Sequence, residues 1–193
     1  MKYFLSIILF LSVSQGAMAH DGHMNNLMTA VLHPLMGWDH LLAMLLVGIL
    51  VARYELKARI LLPILFVLGF GISAQVATVN SVTSSLISSM YVEQILFITL
   101  SILGFALLTK KVISLKMMLA VALIAGLSHG YVHGLELNPH QATVLLGLMS
   151  TTALLHGLGY FLSHAFYERF QYLFKALGAI SSIAGIAALI LTY

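Results

Sequence analysis

Residues 117–137 read MMLAVALIAGLSHGYVHGLEL. A predominantly apolar run of this length matches the roughly 20 residues that a helix needs to cross about 30 Å of hydrocarbon. It shows none of the apolar/polar alternation of a barrel strand. Comparable runs recur at about 27–52, 60–79, 90–108, 141–164 and 174–193, which makes six candidate spans. Across all 193 residues, 61% are hydrophobic and only 8% charged, against about 25% charged in ordinary soluble domains. Too few polar residues remain to cover a water-exposed surface, so lipid is the solvent for most of the chain. Backbone amides in hydrocarbon must be satisfied within their own segment, and continuous apolar runs do this as helices. The sequence therefore predicts an all-α integral membrane protein with six transmembrane helices.

Ahead of these runs stand Met1-Lys2-Tyr3, an apolar stretch from Phe4 to Val13, and Ser14-Gln15-Gly16-Ala17-Met18-Ala19. One positive charge, a core too short to span and an A-x-A site read as a secretory signal peptide over 1–19. Cleavage before His20 leaves a six-helix domain over 20–193, and the net charge falls from +3 to +2 with the loss of Lys2. The remaining positive charges gather on alternate connections. Arg53, Lys57 and Arg59 are expected in the first loop, Lys110, Lys111 and Lys116 in the third, Arg169 and Lys175 in the fifth. Asn80 to Ser89 and Leu137 to Gln141 carry no Lys or Arg. The positive-inside rule puts the basic side in the cytoplasm and both mature termini outside, which agrees with a cleaved signal. This distribution accounts for the basic balance without nucleic acid, which would require a basic patch or stripe. With no cysteine in the chain, thiolate metal sites and disulfides are excluded. No phosphate-binding loop of the G-x-x-x-x-G-K-[ST] type is present either.

Ionisable side chains inside such spans cost at least about 2.5 kcal/mol each on insertion scales and point to function. The first span contains His33-Pro34-Leu35-Met36-Gly37-Trp38-Asp39-His40. On one continuous helix His33 and His40 share a face, Asp39 points about 100° aside, and Pro34 breaks the first turn. In the fourth span His129 and His133 stand at i, i+4, a spacing that lets two imidazoles meet one cation, and Glu136 follows on the same face. Gly126, Gly130 and Gly134 form a small-residue ridge beside them that admits a close neighbouring helix. His156 in the fifth span, one turn after Thr151 and Thr152, extends the set as a deeper ligand or as packing across helices. Together His33, Asp39, His40, His129, His133, Glu136 and His156 read as a descending track of nitrogen and oxygen ligands. His164 reads as an interfacial residue, and His20, His23 and His140 as solvated side chains or a capture site. Imidazole and carboxylate without thiolate suit divalent Ni, Co, Zn or Fe. Met24, Met28, Met36 and Met44 are ordinary apolar filler rather than a copper(I) path.

The signal peptide, the six spans, His33-x5-Asp39-His40 and His129-Gly130-x2-His133-Gly134-Leu135-Glu136 resemble the HupE/UreJ family of nickel and cobalt permeases. The likeness covers essentially the whole chain. Ser128 departs from it, standing where the family carries Phe, and this bears on local packing rather than on ligation. The resemblance implies uptake of Ni²⁺, or Co²⁺, across a bacterial inner membrane to supply hydrogenase or urease, with the motif histidines and Asp39 as functional positions. It implies a transported metal partner and no tightly bound cofactor. Two other classes fit the residues alone. One is an intramembrane zinc hydrolase holding Zn²⁺ on His129, His133 and a further histidine, with Asp39 or Glu136 moving protons. The other is a metal-sensing subunit without flux of its own.

Overall fold

The computed structural model describes residues 26–80, 89–137 and 141–191. The expected signal peptide, His20, His23 and His140 lie outside the described residues. Among the described residues seven helices follow in order: α1 Leu27–Met36, α2 Trp38–Val51, α3 Leu56–Asn80, α4 Ser89–Leu108, α5 Leu115–Glu136, α6 Ala142–Phe166 and α7 Gln171–Leu191. The last five are each long and apolar enough to cross a membrane, while α1 and α2 pass that test only as a pair bent by 80°. Large apolar side chains face outward all around the bundle, among them Leu154 at 72% exposure and Ile72 at 62%. A surface of this kind belongs in hydrocarbon, and the chain is a multi-pass membrane protein.

The first span is not the continuous helix expected from the sequence. Asn26 caps α1, its Oδ1 accepting from the Thr29 amide at 2.9 Å. Pro34 sits inside α1 and costs it only one backbone bond; the break comes three residues later at Gly37, which is extended at φ −85°, ψ 118°. A Cβ at Gly37 would lie 2.6 Å from the His40 ring and 3.1 Å from the Asp39 carboxylate. A larger residue here would have to displace the two polar side chains that fold back over the break.

Three close helix pairs make the bundle: α3 along α5, α4 along α7, and α1 with α2 along α6. Small residues line each seam, as expected where helices associate through backbone proximity in lipid. Gly126, Gly130 and Gly134 of α5 lie against the backbone carbonyls of Phe66, Phe70 and Ala74 of α3. Gly48 of α2 and Gly159 of α6 meet the carbonyls of His156 and Leu45, and Gly104 of α4 faces Gly178 of α7. Phe66, Phe70, Met44 and Leu148 fill the centre, fully buried.

Helix ends also differ from the apolar runs. Lys57 and Arg59 belong to α3, Lys116 to α5 and Lys175 to α7, not to loops. Apolar patterning stops at a charge, whereas Lys and Arg are good helix formers and the backbone continues through them. They remain at the ends where α2 meets α3, α4 meets α5 and α6 meets α7. Arg53 locks this side together: its guanidinium donates to the carbonyls of Ala106 at 2.8 Å, Thr109 at 2.7 Å and Lys110 at 3.1 Å. Nearby, Tyr54 Oη donates to the Ile113 carbonyl at 2.8 Å. Arg53 thus satisfies carbonyls left open at the end of α4. Arg53→Ala is expected to destabilise the bundle by about 2 kcal/mol, since charge-assisted bonds are worth roughly 1.5–3 kcal/mol. Thermal unfolding in detergent measures it; an unchanged midpoint would mean that the lock contributes nothing.

Candidate metal site

The break at Gly37 and the glycine ridge of α5 together assemble the polar cluster. His33 ends up on α1 and His40 on α2, so they do not share a helix face; they meet across the bend, with ring centroids 5.8 Å apart. Close packing of α5 then brings its two histidines to them. His133 lies 4.7 Å from His33 and 4.5 Å from His40, and His129 lies 5.3 Å from His40. One nitrogen from each of His33, His40 and His133 falls within 4.8 Å of the others. Imidazoles sharing one first-row divalent ion at about 2.1 Å place their nitrogens about 3–3.5 Å apart, so small ring rotations close this set on an ion.

The carboxylates stand beside the imidazoles. Asp39 Oδ2 is 3.7 Å from His40 Nδ1, with the two side chains 15% and 12% exposed. Glu136 Oε2 is 3.6 Å from His133 Nδ1, and Glu136 keeps 32% exposure where His133 keeps 1%. Asp39 and Glu136 can therefore orient a ring, or supply oxygen and negative charge to an arriving cation.

Hydrogen bonding defines which atoms are open. His129 Nδ1 lies 2.7 Å from the carbonyl of Ala125, an acceptor only, so Nδ1 carries the proton and Nε2 presents a bare lone pair. That Nε2, His40 Nδ1 and both ring nitrogens of His133 and of His156 are buried with no hydrogen-bond partner among the described residues. Each such orphan costs about 1–3 kcal/mol, and the four on His40, His129 and His133 stand together and call for a polar partner.

His156 is not part of this group. It lies on α6, 2% exposed, and its ring meets Phe66 at 4.8 Å, while Phe66 in turn lies 5.5 Å from His129. The expected track is thus a four-histidine cluster, with His156 on α6 touching Phe66, a ring that also touches His129. Thr151 instead ties α6 to α1 by donating to the Val31 carbonyl at 3.1 Å. His164 is exposed and stacks on Tyr160 at 5.7 Å. Ser128 is buried and donates to the Ala125 carbonyl at 3.0 Å, a bond within its own helix. Sequence reasoning missed Phe66 and Phe70, the latter 5.6 Å from His133. Nothing distinguishes these two phenylalanines from others in an apolar run until α3 is laid along α5.

Comparison with known proteins extends the match to nearly the full chain. Residues 8–188 match the family described as HupE / UreJ protein. The chain is 30% identical to Protein HupE of Rhizobium leguminosarum bv. viciae over 196 residues, which takes in 98% of this chain and 100% of the relative. No solved structure matches. Members of this family are transporters and not enzymes, which removes the intramembrane hydrolase as a reading of the histidines. The chain belongs to the HupE/UreJ family.

Proposed function

We propose that this protein is a permease that takes up Ni²⁺, or Co²⁺, across a bacterial inner membrane. The observation that carries the reading is the convergence of His33, His40 and His133 within 4.8 Å inside a membrane bundle. Three neutral imidazoles replace water ligands of an arriving ion, while Asp39 and Glu136 offset its charge. Neutral nitrogen ligands keep the site from becoming a trap, as conduction requires. The ion approaches from the side of Glu136, the more exposed of the two carboxylates, and passes to the side bearing Arg53 and Arg59. In this topology the bent pair α1–α2 is one of six spans, the basic loops are cytoplasmic and both mature termini face outward. An inside-negative potential of about 100 mV favours entry of a divalent ion by roughly 2 × 2.3 kcal/mol, so accumulation needs no ATP. The delivered metal serves enzymes such as hydrogenase or urease.

Radioactive nickel and cobalt uptake into vesicles holding the purified protein, with an imposed potential, tests this directly. Saturable uptake is expected, and it should vanish in the His33→Ala/His129→Ala variant. Absence of flux through correctly inserted wild-type protein would overturn the permease reading. The mature protein is also expected to begin at His20, which intact-mass measurement checks; a retained Met1 would remove the cleaved signal.

A further inference from the structure

Leu56, Ile60, Ile64, Leu68, Ile72 and Val76 recur every four residues along α3, each between 46% and 69% exposed. Together they make one wall of a groove, and Met149, Ala153 and Gly157 of α6, at the same spacing, make the other. Cavities of about 640 and 470 Å³ follow one another along it and share Leu68, so the groove is continuous. Over the 24 residues Leu56–Val79 it runs about 36 Å at 1.5 Å per residue, enough to cross the roughly 30 Å of hydrocarbon. Its walls are apolar and open to the side, so whatever fills it is apolar along most of its length.

The end that carries the basic residues is different. Arg59 and Tyr160 line the groove there. Arg59 Nε donates to the Tyr54 carbonyl at 2.8 Å and Nη1 to Tyr160 Oη at 3.3 Å, with the guanidinium 5.8 Å from the Tyr160 ring centroid. These two bonds engage two of its five N–H donors and fix the plane of the group. The remaining donors form a fork of the kind that matches phosphate oxygens. Lys57, exposed two residues earlier, adds a second positive charge, against one negative charge from the exposed Glu55.

A second copy of the chain inserted in the same orientation would bring its own basic helix ends to this mouth, and like charges would oppose the contact. An anionic phospholipid meets both demands, with acyl chains for the apolar walls and a phosphate for the guanidinium; basic pockets between transmembrane helices recognise lipid headgroups in this way. We propose that the half of the groove nearest Arg59 binds an anionic phospholipid, its phosphate on Arg59 and its acyl chains along Ile60, Ile64 and Leu68. The site lies apart from the metal cluster. It borrows from the uptake reading only the orientation that makes this the inner leaflet.

Trp38 is the one tryptophan of the chain, so Ile64→Trp in a Trp38→Phe background places a single indole in the groove. Ile180→Trp in the same background is the control, at a comparable depth on the exposed face of α7. Each protein is held in phosphatidylcholine vesicles into which brominated phosphatidylglycerol or brominated phosphatidylcholine is titrated. Phosphatidylglycerol should quench the groove indole at concentrations at least about fivefold lower than phosphatidylcholine, the effect of about one fixed basic group near the membrane. At the control position the two lipids should quench alike. Gly157→Leu fills the groove where an added Cβ meets nothing within 4 Å, and it should remove the preference with Arg59 still in place. Arg59→Gln should remove it as well, at an unchanged melting midpoint.

Equal quenching by the two lipids in the groove would mean ordinary boundary lipid and overturn the site. Weak quenching by both would mean that protein covers the groove, as in a dimer, and overturn it too. A preference that survives Gly157→Leu would place the headgroup elsewhere on the basic side, and one that survives Arg59→Gln would remove the phosphate from Arg59. No metal enters this assay, so its failure leaves the permease reading intact, and absence of nickel flux leaves the lipid site intact.

Discussion

Nickel uptake by His133→Ala is expected to fall to the background of protein-free vesicles, a loss of at least about 100-fold, while the variant still inserts and folds. His133 is the centre of the cluster, in contact with both His33 and His40. Neither of its ring nitrogens has a hydrogen-bond partner among the described residues. Its removal therefore deletes a ligand, and the structural cost is that of a small cavity and of the 3.6 Å approach to Glu136, a part-exposed carboxylate. Loss of an outer partner of a metal site already costs about 10–100-fold, and loss of a direct ligand should exceed that. His133→Gln, closer in volume but without an imidazole, should fail in the same way. Uptake at the wild-type rate by either variant, with a normal melting midpoint, would take His133 off the path.

The second large effect is expected in the packing of α3 on α5. A methyl group at Gly130 would run into the backbone carbonyl of Phe70 and the Ser73 hydroxyl. Backbone cannot rotate away as a side chain can, so Gly130→Ala must push the two helices apart. Overpacking of this kind costs about 1–3 kcal/mol, and the melting midpoint should fall by roughly 5 °C or more. Uptake should fall with it, because the same seam sets Phe66 and Phe70 against His129 and His133. Gly157→Ala is the matched control: its added methyl meets nothing within 4 Å and should leave the midpoint within about 1 °C, as surface substitutions do. Equal midpoints for the two variants would show that the glycine ridge does not hold α3 and α5 together.

How much of this was legible differs from residue to residue. The ridge of Gly126, Gly130 and Gly134 could be read from four-residue spacing, because a single continuous helix places such residues on one face whatever surrounds it. His129 and His133 were readable as a pair for the same reason. His33 and His40 were not: the argument that they share a face assumes one helix, and Gly37 ends that helix between them. Glycine is frequent in membrane helices, so its presence there does not announce an 80° turn. His156 looked like the deepest ligand of one track, and only the packing of α6 shows that the convergent group is His33, His40 and His133 without it.

By itself the sequence determined that the chain lives in lipid as helices, that its basic ends gather on one side, and that imidazoles and carboxylates lie together in two of its spans. Those conclusions depend on composition and on periodicity within one element, which are local properties. Tertiary structure decided which imidazoles meet, which atoms of them stay open, and which aromatic rings of α3 pack against them. These depend on how separate helices approach and on one bend in the backbone, and no local period encodes the relation between elements distant in the chain.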